Sequence, residues 1–243
     1  TLEQADPPRA RRRQDPAEEE AVRQARRQTR HPSPGRGQAL MHPNPLFRSE
    51  DRALLEALID EIGFGMVFLT TPDGPRVAHT PLLSTGDGAI QFHLARGNGI
   101  TKWLEGETAL IVVNGPDAYV SPKWYADRAT VPTWDYVALE LEGRVRKMDG
   151  EGLDALLYAL IDKQEDRLAE ATGGDRWRSE ETPPDLWRKL HGGIVGFEME
   201  VLAWRPTIKL SQKKSPTERE AIATGHEAAG APALAHLMRT LVS

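Results

Sequence analysis

The chain contains no cysteine. Disulfides, thiolate nucleophiles and cysteine-ligated metal sites are therefore excluded, and a reducing compartment suits such a chain. No apolar run approaches the roughly 20 residues that a membrane-spanning helix needs. The N-terminus lacks the apolar stretch of a signal peptide. The expectation is a soluble protein of the cytoplasm, with no membrane partner. Several catalytic signatures are missing too: there is no Gly-x-Ser-x-Gly elbow, no His-Glu-x-x-His, no Walker loop and no Gly-x-Gly-x-x-Gly. No helix-turn-helix pattern stands out after residue 40.

Large apolar side chains are scarce in the first forty residues, where only Leu2, Val22 and Leu40 occur. Such a segment buries too little surface to offset the entropy of ordering. It is rich in Arg, Gln, Pro and Glu, and Pro16 to Arg30 has the charge pattern of a solvated helix. Its nine Arg and six Asp/Glu give a net of +3, so the overall net of −5 leaves −8 for residues 41–243. An acidic body does not attract nucleic acid by bulk electrostatics. The basic clusters Arg11–Arg12–Arg13 and Arg26–Arg27 lie outside that body. The segment reads as a tail or an upstream extension, since it lacks the aromatic residues that stack on bases.

What is present from Met41 onward is a β-rich α+β pattern with consecutive strands and short turns. Ser49 is the predicted N-cap of a helix carrying Leu54, Leu55, Leu58, Ile59 and Ile62. Strands are predicted over 64–70, 76–83 and 89–95, separated by Pro72-Asp73-Gly74-Pro75 and Gly86-Asp87-Gly88. Asn98 is placed as the cap of a short helix reaching Leu104. A fourth strand covers 108–113. In a fifth, Val137, Leu139, Leu141 and Val145 alternate with polar residues. A long amphipathic helix follows, with Leu153, Leu156, Leu157, Leu160, Ile161 and Leu168 on one stripe. Residues 177–184 read as a polar loop and 185–190 as a helical turn. A sixth strand covers 194–204, with Val195, Phe197, Met199 and Val201 on one face. The tail from Pro216 is Ala-rich and weakly helical. Six strands in mostly consecutive order imply antiparallel pairing closed into a small barrel, which removes exposed edges. A doubly wound sheet would need helices between the early strands.

Polar residues gather where two apolar strands end. His79-Thr80-Pro81-Leu82 closes the second strand, and His93-Leu94-Ala95-Arg96-Gly97-Asn98 closes the third. Asn98, Thr101 and Lys102 stand where a helix start and cationic donors would suit a phosphate. Trp103, Trp124, Tyr125 and Trp134 are candidates for the wall of a flat apolar ring. Taken alone, a strand histidine is more often a hydrogen-bonded structural residue than a ligand or base. Buried Trp and Tyr are more often core than cofactor walls.

The segment Gly115-Pro116-Asp117-Ala118-Tyr119-Val120-Ser121-Pro122-Lys123-Trp124-Tyr125, followed by Val131-Pro132-Thr133-Trp134-Asp135-Tyr136, resembles the signature of the PaiB family of FMN-binding negative transcriptional regulators. His79-Thr80-Pro81, His93 to Asn98, Gly193 to Phe197 and Lys209-Leu210-Ser211-Gln212 resemble further family blocks, in the family's order. Asp117 stands where a His is common, and Lys213 where an Asn is usual. Met41 to Phe47 has the shape of the family's beginning, so residues 1–40 are expected to be an extension ahead of a domain spanning 41–243.

The resemblance implies an antiparallel split β-barrel of the pyridoxamine-phosphate-oxidase-like kind, dimeric, with FMN at the subunit interface. Carried onto this chain, it implies FMN contacts at His79, Thr80, Pro81 and Leu82, and at His93, Ala95, Asn98 and Lys102 around the phosphate or its approach. Trp134, Lys209 and Gln212 complete the implied site, with the second subunit as their possible source. The implied function is negative transcriptional regulation, which an acidic barrel would exert indirectly or through a partner. The alternative is an FMN-dependent oxidoreductase acting on a small molecule, with the flavin carrying the redox chemistry.

Overall fold

A computed structural model describes residue 42 and residues 44–242. The expectations for residues 1–40 and for Met41 lie outside the described residues. Six antiparallel strands form a closed barrel: β1 (Phe64–Thr71), β2 (Gly74–Ser84), β3 (Ala89–Ala95), β4 (Thr108–Val120), β5 (Thr133–Lys147) and β6 (Ile194–Lys209), in the order β1-β2-β3-β6-β5-β4. The strand neighbours β1–β2, β2–β3, β4–β5 and β5–β6 are consecutive in sequence, and the β3–β6 and β1–β4 ladders complete the ring.

The interior follows from period-two alternation. Val67, Leu82, Ile90, Phe92, Ile111, Leu139, Leu141, Phe197 and Met199 are buried within it. Phe92 and Phe197 are paired in the β3–β6 ladder and their rings stack at 5.6 Å. Burying each such ring contributes about 1.5–3 kcal/mol. Gly143 sits at a register shift between β5 and β6. A Cβ there would lie 2.0 Å from the Glu200 carbonyl oxygen, so only glycine lets the two backbones approach this closely. The predicted wet faces carry ion pairs, including Arg146 with Glu198 and Arg205 with Glu142.

Among the described residues, five α-helices accompany the barrel. Helix α1 (Arg52–Ile62) is capped by Asp51, whose carboxylate accepts from the Leu54 N–H. Ser49 instead accepts from the Asp51 N–H, two residues before the cap. Helix α2 (Gly150–Thr172) buries Leu153, Leu156 and Leu160 of its predicted stripe, whereas Leu168 is exposed because the last turns of the helix run beyond the barrel core. Helix α3 (Pro184–His191) is longer than the predicted turn. The predicted helix after Asn98 is only a 3₁₀ turn, Thr101–Trp103. None of the described helices is long and apolar enough to cross a membrane.

The C-terminus is helical as expected, but it is packed into the core and is not a weak tail. Residues 216 onward form α4 (Pro216–Ala228) and α5 (Pro232–Leu241). Their Ile222, Ala223, Leu234, Ala235 and Met238 are all buried and join the main core. The start of α4 is a capping box, with Ser215 and Glu218 satisfying each other's backbone N–H. Weak propensity was overridden by packing, which supplies most of the stability of a short helix.

Candidate functional site

Two parts of the barrel carry the predicted residues. One is a gap between β2 and β3. These strands pair only at Leu82–Phe92, Leu83–Gln91 and Ser84–Ile90. Earlier residues of β2, from Gly74 to Pro81, pair with β1 alone, while His93 and Ala95 pair with β6 alone. The β2–β3 ladder therefore stops at Leu82–Phe92, although the ring of strands stays closed. The Thr80 hydroxyl bridges the gap by donating to the His93 carbonyl oxygen at 2.6 Å.

Alternation sorts the side chains along the gap. Thr80 and Leu82 are buried on the inner face, so only their backbone is available to a ligand on the outside. His79 is exposed, and Pro81 is half-buried. On β3, His93 is half-buried and Ala95 exposed, between the buried Phe92 and Leu94 and the turn that follows. In that turn the Asn98 side-chain oxygen accepts from the Ile100 N–H at 3.1 Å. The Thr101 hydroxyl donates to the Ala95 carbonyl at 2.8 Å. The Asn98 amide nitrogen has no hydrogen-bond partner among the described residues. Lys102 is exposed, with its ammonium 4.7 Å from the centre of the Trp103 ring. Arg96 is already engaged, donating to the carbonyls of Gly192 and Ile194 at 3.0 and 3.3 Å.

His93 is the chemically informative member. Its Nδ1 is shielded from solvent and has no hydrogen-bond partner among the described residues. Burial lowers its pKa below the ordinary 6.5, so the ring is neutral at pH 7. A neutral imidazole offers one N–H and one acceptor. Leaving a shielded polar atom unpaired costs about 1–3 kcal/mol. A planar ligand with its own donors and acceptors would relieve that cost, and an anionic group would suit Asn98 and Lys102. The residues present thus fit a phosphate-bearing ring system such as FMN.

The other part is an arm. Strands β4 and β5 run on together past the short β1–β4 ladder, through a register shift between Asn114 and Asp117, to Val120 and Thr133. Trp134 on this arm is 53% exposed and meets Tyr119 edge to face at 6.3 Å. A cleft of about 270 Å³ beside it is lined by Asn114, Gly115, Asp117, Trp134 and Tyr136, among others. Lys209, at the end of β6, donates to the Thr133 hydroxyl and the Trp134 carbonyl. Gln212 folds back on its own turn, accepting from the Leu210 N–H at 2.8 Å and donating to the Ile208 carbonyl. Among the described residues, no hydrogen bond, ion pair or ring contact joins the arm to the gap.

Sequence reasoning gave no role to the residues that hold the arm together, although Asp135 and Ser211 lie in the quoted family blocks. Ser211 has φ +56, and it is the only non-glycine among the described residues with positive φ. That conformation costs roughly 1–2 kcal/mol. Asp135, 0% exposed, accepts from the Ser211 N–H at 3.1 Å and from its hydroxyl at 2.7 Å. His226 of α4 is equally buried, with Nε2 3.7 Å from Asp135 Oδ2. Its ring meets Trp124 edge to face at 5.3 Å. Lys214 lies over Tyr125, 3.6 Å from the ring centre. Burial and the nearby Asp135 and Glu218 raise the Tyr125 pKa above 10.0. The signal that was available is the Ser215-Pro216-Thr217-Glu218 helix start, which marks a real helix and hence a packed tail.

The closed six-stranded antiparallel barrel is the fold of the flavin-binding split-barrel proteins. A family model described as "Putative FMN-binding domain" matches residues 41–203. The chain belongs to this family, and FMN is the cofactor that membership assigns. It is 31% identical over 164 residues to protease synthase and sporulation protein PAI 2 of Bacillus subtilis, covering 66% of this chain and 76% of that protein. In structure it is similar to the FAD and heme binding protein of Mycobacterium smegmatis, with a TM-score of 0.52 and 19% identity over 73% of this chain and 79% of that one. It is similar also to the flavocytochrome Anf3 of Azotobacter vinelandii, with a TM-score of 0.50 and 14% identity over 68% and 70% of the two chains. At these identities the structural likenesses speak for the fold alone.

Proposed function

We propose that the protein works as a cytoplasmic homodimer that encloses FMN between its protomers. The gap at His79–Leu82 and His93–Lys102 of one protomer holds the flavin, and Trp134, Lys209 and Gln212 of the second protomer close over it. The observation that carries this reading is the unpartnered Nδ1 of His93 beside a parted ladder. The separation of the gap from the arm within one chain supports the contribution of a second copy. So does the outer face of β1 and β2, where Phe64 and Val77 are 50% and 42% exposed. Apolar surface of this kind is favourably covered by a partner.

The body is acidic, with a net of −8 over residues 41–243. It therefore regulates transcription indirectly or through a partner, with the flavin as the sensed group, and not by gripping DNA. A second reading is an FMN-dependent oxidoreductase acting on a small molecule. The cleft beside the exposed Trp134 favours it, since it offers space and polar groups for a substrate. FMN when bound supplies the electron-transfer chemistry, and the chain orients what approaches it. Anaerobic addition of NAD(P)H separates the two: rapid bleaching of the flavin with turnover on a second substrate supports the enzyme, and its absence supports the sensor.

The shared site is tested by mixing. His93→Ala and Trp134→Ala protomers each lose tight FMN binding when alone. Subunit exchange between them restores one intact site in each mixed dimer. Failure of the mixture to bind FMN, with dimers formed, contradicts a site built from two protomers.

A further inference from the structure

Lys209 and Gln212 lie on either side of the one strained non-glycine residue described, Ser211, and besides the turn's own hydrogen bonds through Gln212 and the Lys214 N–H, a buried carboxylate from another strand holds this turn. Asp135 takes both the N–H and the hydroxyl of Ser211. Asp135 also follows Trp134 in β5, so one carboxylate fixes the turn to the strand that carries the exposed indole. A buried carboxylate needs partners on all sides. The remaining side is filled by His226, whose ring has no hydrogen-bond partner among the described residues and stands 3.7 Å from Asp135.

His226 is placed in turn by helix α4. Gly225 lets the helix lie directly on the Trp124 ring, since a Cβ there would come within 2.4 Å of Trp124 Cε2. Arg239 of α5 ties the two helices together through Glu220 and Glu227 of α4. The end of β6 and both helices follow the stretch matched by the family model, which stops at residue 203.

We infer that Asp135, Ser211 and His226 form a positioning cluster through which the C-terminal helical pair sets the FMN affinity of the arm. The inference rests on the flavin reading above. These three residues are positioning residues, because they act through Trp134, Lys209 and Gln212. The hydroxyl bond to Asp135 is what keeps Ser211 left-handed. Without it, the turn relaxes to negative φ and carries Lys209 and Gln212 out of place. Glycine adopts positive φ without that bond.

The test is an FMN titration of dimeric wild type, Ser211→Ala, Ser211→Gly and His226→Leu, read by flavin fluorescence quenching. Circular dichroism and thermal melts run alongside. Ser211→Ala and His226→Leu are expected to weaken FMN binding about tenfold or more while staying folded. Ser211→Gly recovers most of the affinity even though it lacks the hydroxyl. A merely structural role would lower the melting temperature of all three variants and leave the Kd of the folded protein alone. If wild type binds FMN and the folded Ser211→Ala and His226→Leu proteins bind it within twofold of wild type, the inference is overturned and the flavin reading stands. If wild type itself binds no FMN, the flavin reading falls and the inference falls with it.

Discussion

The gap and the arm arrange their polar groups in opposite ways. At the gap, the ladder between β2 and β3 is open, the Nδ1 of His93 lacks a partner, and Lys102 is free to reach outward. At the arm, Lys209, Ser211, Gln212 and Asp135 are all engaged with one another or with nearby backbone. The gap is left unsatisfied in a way that a ligand would repair. The arm is organised in advance, and so loses little freedom when it closes on anything. Pre-organisation of this kind lowers the cost of binding. The difference also separates two consequences of mutation: damage to the cluster that holds the arm should cost stability as well as FMN affinity, and damage at the gap should cost affinity with little stability.

The largest effect is expected at the arm. Asp135→Ala leaves the N–H and hydroxyl of the half-buried Ser211 without their acceptor and His226 without its carboxylate neighbour, a loss of about 2–4 kcal/mol. Chemical denaturation measures it, and a loss below about 1 kcal/mol would mean that water replaces the carboxylate. Gly225→Ala follows, at about 1–3 kcal/mol, because the new methyl group overlaps the Trp124 ring and the helix must shift. A unique cost at this position would appear as a lowered melting temperature that Trp124→Leu partly restores.

The gap should behave in the opposite sense. His93→Ala removes a side chain whose Nδ1 has no protein partner, so its cost in stability is modest, while FMN binding weakens about tenfold or more, roughly 1.4 kcal/mol. Equal losses of stability and affinity would erase the contrast between the two regions. The smallest effect is on pH. The folded-state pKa of His93 lies below 6.5 because burial disfavours the charged ring. The unfolded chain therefore binds the proton more readily, and His93 makes stability fall as pH drops from about 6.5 toward its folded value. Above that window the group has no effect. Thermal melts from pH 7.5 to 5 should show a shallower decline for His93→Gln than for wild type.

The barrel was legible in the sequence because its signal is local. Alternation in Val137, Leu139 and Leu141, and turn chemistry at Pro72 to Pro75 and Gly86 to Gly88, depend on neighbours in the chain. The strand ends were less legible. β4 continues through Gly115 and Pro116 to Val120, where composition suggests a loop, because β5 pairs with it on the far side of a register shift. The same extension brings Trp134 and Asp135 into a strand. The residues of the gap were visible as short blocks, but the parting of β2 from β3 is a property of two ladders and has no local mark. Least legible was the role of the tail. Propensity alone leaves α4 and α5 marginal, and only packing on Trp124 and the core makes them part of the structure.

We propose above that FMN occupies the gap and is covered by the arm. Titration of purified dimer with FMN, followed by flavin fluorescence and visible absorption, tests it most directly. The account predicts saturation at one FMN for each chain, with strong quenching in wild type, and a weakening of tenfold or more in His93→Ala. Flavin that keeps its free-solution fluorescence in the presence of excess wild-type dimer would contradict it.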